Sequence, residues 1–89
     1  MAISAVENAI KRGLVLQNKS VIIYSGKDDD GKTFYHTLHK IFKDTKGNEE
    51  CKTEYEGHSS EEAAKKLIEI IGMFDAMVLV REHIKNAQQ

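Results

Sequence analysis

The chain has no proline and no tryptophan, and only one cysteine. Without proline there is neither a polyproline segment nor a stiff proline-rich linker. A lone Cys51 excludes an internal disulfide and any zinc site built on cysteine pairs. The first residues lack the succession of basic, apolar and small residues that marks a secretory leader, so a reducing cytoplasm is the expected location. Long apolar runs are missing as well. Stretches such as Ala76 to Val80 fall far short of the roughly 20 residues that a membrane-spanning helix needs. Nor does charge of one sign prevail, since 13 Lys and Arg face 14 Asp and Glu for a formal net charge of -1. That balance creates no long-range field toward nucleic acid or an anionic membrane, so binding to either needs a local patch.

What is present is the composition of a folded protein: 40% hydrophobic and 30% charged residues in 89. That length holds one domain, residues 1–89, which would bury roughly 60 to 65% of the surface its unfolded chain exposes. Structure is expected nearly end to end, with fraying at residues 1–3 and 86–89.

The expected fold class is α+β: a helix, a three-stranded antiparallel sheet, then one long or kinked C-terminal helix. Ser4 and Glu7 have capping-box spacing, which predicts a helix over about Ala5 to Arg12. Val6, Ala9 and Ile10 form its apolar stripe, and Gly13 is placed as the left-handed residue that ends it. Val21-Ile22-Ile23-Tyr24 is β-branched and aromatic, the clearest strand, and Lys27 to Gly31 is its hairpin tip. Lys32 to Lys43 fits either a helix, through Phe34, Leu38, Ile41 and Phe42, or a strand with Phe34, Leu38 and Phe42 on one side. The strand is favoured because turn signals bound the run and the following segment needs a neighbour. After a turn at Thr45 to Asn48, Cys51, Thr53 and Tyr55 alternate with Lys52, Glu54 and Glu56, as a half-buried strand would. Ser59 and Glu62 form a second capping box, and Ala63, Ala64, Leu67, Ile68, Ile70 and Ile71 line the helix it starts. Gly72 and Asp75 allow a bend before Met77, Val78, Val80 and Ile84 continue, preferably as helix.

Motifs that carry chemistry are sparse. His36 and His39 point to opposite faces if their segment is a strand, and Cys51 with His58 matches no zinc spacing. Asp28-Asp29-Asp30-Gly31 lacks the spaced oxygen ligands of a calcium loop. No phosphate-binding glycine loop or nucleophile elbow occurs, so no catalytic residue, metal or cofactor is expected.

Charge layout and surplus apolar residues are more informative. Glu49, Glu50, Glu54, Glu56, Glu61 and Glu62 cluster around Lys52, whereas Lys19, Lys27, Lys32, Lys40, Lys43 and Lys46 gather about the first two strands. The glutamates are candidates for docking a basic surface of another protein. Near the C-terminus Phe74, Met77, Val78 and Leu79 belong to an apolar segment too rich for one inward stripe, and are candidates for a homodimer interface.

The order of helix, three strands and helix resembles that of double-stranded-RNA-binding domains over about Ser4 to Ile71. Such domains present basic residues at the start of the last helix, where this chain has Glu61 and Glu62, with Lys65 and Lys66 one turn later. Lys32 and His36 follow the first hairpin loop without that family's loop pattern. The resemblance is therefore one of topology. The leading expectation is a non-catalytic protein-protein interaction module, a small adaptor or inhibitor acting as a homodimer. The alternative is a nucleic-acid-binding module that uses Lys32, Lys40 and Lys43 with Tyr24, Tyr35 and His39 as stacking groups.

Overall fold

The computed structural model describes the backbone of residues 2–87 and the side chains of residues 4–83. Helix α1 (Ala2–Lys11) is followed by strands β1 (Leu16–Gln17), β2 (Val21–Lys27), β3 (Phe34–Lys43) and β4 (Glu49–Gly57), then by helices α2 (Ser60–Ile71) and α3 (Met73–Ala87). The strands form one antiparallel sheet in the order β1-β2-β3-β4. Of the ends expected to fray, Ala2 and Ile3 open α1 and Asn86 and Ala87 close α3, while Met1, Gln88 and Gln89 lie outside the described residues.

This corrects the expected three strands and single C-terminal helix. The fourth strand is only two residues long, Leu16 opposite Ile23 and Gln17 opposite Ile22, too short to leave a periodicity in sequence. The C-terminal segment is two helices because Gly72, at φ 89° and ψ 156°, lies far outside helical geometry. Its N–H closes α2 on the Ile68 carbonyl at 2.7 Å, and its carbonyl accepts the Ala76 N–H at 3.0 Å to open α3. The first capping box is also corrected: α1 already runs from Ala2, so Ser4 sits inside the helix. Its C-terminus follows the expectation. Gly13, at φ 76°, donates to the Ile10 carbonyl at 2.9 Å, and Leu14 donates to that of Ala9 at 3.2 Å. The Phe34 ring lies over this turn so closely that a Cβ on Gly13 would stand 2.6 Å from it.

The helices cover one face of the sheet. Val6, Ala9 and Ile10 of α1, Ala63, Ala64 and Leu67 of α2, and Ala76, Leu79 and Val80 of α3 form one buried cluster with Leu16, Val21, Ile23 and Leu38. Each large side chain in it contributes on the order of 1.5 to 3 kcal/mol. Alternation then sends Ile22 and Tyr24 of β2, and Tyr35, Thr37, His39 and Ile41 of β3, to the uncovered face.

The 32–43 segment is a strand, with Phe34, Leu38 and Phe42 on one side as the favoured alternation required. In β4 the expected alternation breaks. Leu38 pairs with Tyr55 but His39 pairs with Thr53, so Glu54 is an extra, bulged residue. Tyr55 therefore turns toward the helices, whereas Thr53 and Cys51 join the uncovered face, where Cys51 is exposed. Because β2 begins only at Val21, opposite Lys40, the distal parts of β3 and β4 project as a two-stranded arm. Asp44 closes the arm, its Oδ1 accepting from the N–H groups of Lys46 at 2.8 Å and Asn48 at 2.9 Å.

Candidate protein-binding edge

Strand β4 ends the sheet, with no strand paired beyond it among the described residues. The ladder pattern says which backbone groups it leaves free. Ile41 donates its N–H to the Ser20 carbonyl at 2.7 Å, so odd-numbered residues of β3 serve β2 and even-numbered ones serve β4. Phe42 and Lys40 therefore bond Glu50 and Lys52, and Glu49, Cys51 and Thr53 aim their N–H and C=O groups outward.

The expected acidic residues follow this edge as a stripe and do not form a patch. From Glu49 to Glu56 the strand extends roughly 23 Å at the usual rise per residue. Glu49 lies opposite Lys43 and Glu50 opposite Phe42, on alternate faces, and both are exposed. Glu54 occupies the bulge and is half-buried. Glu56 accepts the Tyr35 hydroxyl at 3.0 Å, a bond that raises the Tyr35 pKa, with burial adding to it. Glu61 and Glu62 stand beyond the other end of β4 in the first turn of α2, where the helix dipole favours them. Glu61 is paired with Lys65 at 3.1 Å.

Tyr55 and Ser59 hold the junction between edge and helix. Ser59 Oγ accepts the Glu62 N–H at 3.1 Å, as capping spacing predicts, but the Ser59 N–H goes to the Tyr55 hydroxyl, also at 3.1 Å, and not to a returning Glu62 carboxylate.

The histidines separate, as strand geometry requires. His36 is 2% exposed on the helix side, with Nδ1 sharing a 2.6 Å hydrogen bond with Ser25 Oγ. Burial, and then the neighbouring His58, lower its pKa. His39 lies on the uncovered face between Tyr24 Oη and Thr53 Oγ1, each at 3.0 Å. His58 meets Asp28 at 2.6 Å beneath the edge of the Tyr35 ring. No group of three or more potential metal ligands assembles among the described residues. Among them no helix is long and apolar enough to cross a membrane.

The residues of the nucleic-acid alternative do not gather. Tyr24, Tyr35, His39 and Lys43 share the uncovered face, but Lys40 lies on the other face opposite Val21, and Lys32 is in the hairpin loop. The C-terminal candidates also divide. Leu79 is 5% exposed in the chain's own core and Met77 packs against it, while Val78 is half-buried and Phe74 is 78% exposed.

Sequence inspection missed Phe42, 40% exposed, and a cavity of about 330 Å³ that it lines with Lys19, Ile41, Lys43 and Glu49. The strand alternation of Phe42 gave no sign that β2 would stop short of it. Comparison with known protein families, with curated proteins and with solved structures returned no match.

Proposed function

We propose that the chain is a non-catalytic protein-interaction module, a small adaptor or inhibitor that captures an extended basic segment of a partner protein along β4. The position of β4 at the end of the sheet carries this reading, because the outward backbone groups of Glu49, Cys51 and Thr53 can accept one more strand. Glu49, Glu50 and Glu54 give that edge its selectivity. They repel the same edge of a second copy and attract a strand bearing lysine or arginine. Each exposed pair adds only about 0.2 to 1 kcal/mol, so the main-chain ladder supplies most of the affinity and the charges supply the choice. The reading includes a homodimer through the outer side of α3, and a reducing cytoplasm in which the exposed Cys51 thiol stays unpaired.

The test is a titration of the isotopically labelled chain with a peptide that alternates lysine and valine. Binding should shift and protect from exchange the amides of Cys51 and Thr53. Glu50→Lys with Glu54→Lys should weaken the peptide about tenfold or more while the circular dichroism spectrum stays unchanged. Affinity indifferent to that double reversal would refute the acidic edge.

A further inference from the structure

The projecting arm has a second free side, on the edge of β3 that faces β2. In a regular ladder the Ser20 N–H would answer the Ile41 carbonyl, since Ile41 already donates to the Ser20 carbonyl at 2.7 Å. Asn18 prevents this. Its Oδ1 takes the Ser20 N–H at 2.8 Å and the Val21 N–H at 3.0 Å, and the chain turns away toward β1. The lane that β2 would have occupied is therefore empty from Ser20 outward. Lys43 has the same parity as Ile41 and turns its N–H and C=O into that lane.

The empty lane is the cavity of about 330 Å³ lined by Lys19, Ile41, Phe42, Lys43 and Glu49. It combines an unpaired strand edge, an apolar side chain on each face, Ile41 on one and Phe42 on the other, and two lysine side chains against one glutamate. Its size suits the end of a peptide and not a continuous strand, because Ser20 blocks the lane at the inner end. A strand antiparallel to β3 runs in the direction of β2, so its C-terminus arrives at that block, beside Lys19.

We propose that this notch binds the free C-terminus of a partner protein whose last residue is apolar. The last residue pairs with Lys43: the Lys43 N–H donates to the terminal carboxylate and the Lys43 carbonyl accepts the ligand's N–H. The Lys19 ammonium closes the lane, with donors for the carboxylate and for the Ile41 carbonyl. The terminal side chain shares the face of Lys43 and lies on Ile41, the side chain before it falls on the Phe42 face, and Glu49 disfavours acidic residues at the end of the ligand. The backbone groups it uses lie on the opposite side of the arm from the β4 edge, the two sharing only the Glu49 side chain.

A fluorescein-labelled hexapeptide, Gly-Ser-Gly-Thr-Val-Leu, tests the notch by fluorescence anisotropy at low salt, as the free acid and as the C-terminal amide. The free acid should saturate below about 1 mM, and the amide should bind about tenfold more weakly or worse. Lys19→Glu, at an exposed position, should cause a comparable loss with an unchanged fold, and labelled protein should show the free acid shifting the Lys43 amide. Equal binding of acid and amide would overturn the proposal, as would failure to saturate. Sensitivity to Glu50→Lys with Glu54→Lys, combined with indifference to Lys19→Glu, would move the peptide to β4 and overturn it too. The β4 proposal stands or falls separately, on the basic peptide.

Discussion

His36 has the outline of a reactive residue in sequence and becomes a core residue in the fold. Its imidazole is 2% exposed and its Nδ1 is tied to Ser25 Oγ at 2.6 Å. Burial favours the neutral ring, so its pKa in the folded chain lies below the ordinary 6.5. The unfolded chain then binds the proton first. The stabilisation is complete above about pH 6.5 and is lost as pH falls through the folded value. Urea unfolding of the wild type between about pH 8 and pH 5 should show that loss, and His36→Gln should lose less over the same interval. Parallel pH dependences for the two proteins would count against a neutral buried His36. Asp30 behaves in the opposite spirit, fully in solvent. The Thr33 hydroxyl first, then the Thr33 and Lys32 N–H groups, hold its pKa at about 2, so the hairpin tip keeps its charge well into acid. The turn chemistry at Asp30 was readable from residue types, but the burial of His36 was not, because it depends on a helix, α2, distant in sequence packing over β3.

At the scale of elements, local signals succeeded where the stabilising bonds are local. Gly13 ends α1 and Ser59 caps α2 because their partners lie within five residues. Ser59→Ala should cost about 1 kcal/mol of the unfolding free energy in urea, the usual worth of an N-cap. Tyr55→Phe should cost a similar amount, about 1 kcal/mol, by removing the acceptor of the Ser59 N–H. Since both changes act on Ser59, the double variant should lose less than their sum; strict additivity would show that the two bonds do not cooperate. Signals failed where pairing is long-range. Cys51, Thr53 and Tyr55 alternate perfectly in sequence, yet the extra Glu54 puts Tyr55 on the opposite face from the other two. Nothing in the residue types announces the bulge. It exists because Leu38 takes Tyr55 into the helix side while His39 shares a hydrogen bond with Thr53 on the other.

For the whole molecule, the apolar surplus at the C-terminus resolves into an inner and an outer side of α3. Ala76, Leu79 and Val80 enter the core, and Phe74 stands 78% exposed at the start of the helix with Val78 one turn later. These sides give opposite expectations for substitution. Leu79→Asp buries a charge and should cost more than about 3 kcal/mol, enough to unfold a chain of this size. Phe74→Asp should leave the circular dichroism spectrum intact but reduce the solution mass from that of a dimer to that of one chain. Light scattering that gives a single-chain mass for the wild type would remove the dimer from the proposed function.

The sequence by itself determined what depends on neighbours along the chain: the turns within Lys27 to Gly31 and Thr45 to Asn48, the glycine end of α1, the capped start of α2, and the strand character of β2. It also determined that Glu49, Glu50, Glu54 and Glu56 would travel together, since they share one strand. Only the tertiary structure decided that this strand lies at the edge, that Leu16 and Gln17 add a fourth strand, that Gly72 divides two helices, and that β2 stops one residue short of Ile41. Each of these is a choice among pairing partners many residues apart, settled by which arrangement buries the apolar faces of three helices on one side of the sheet.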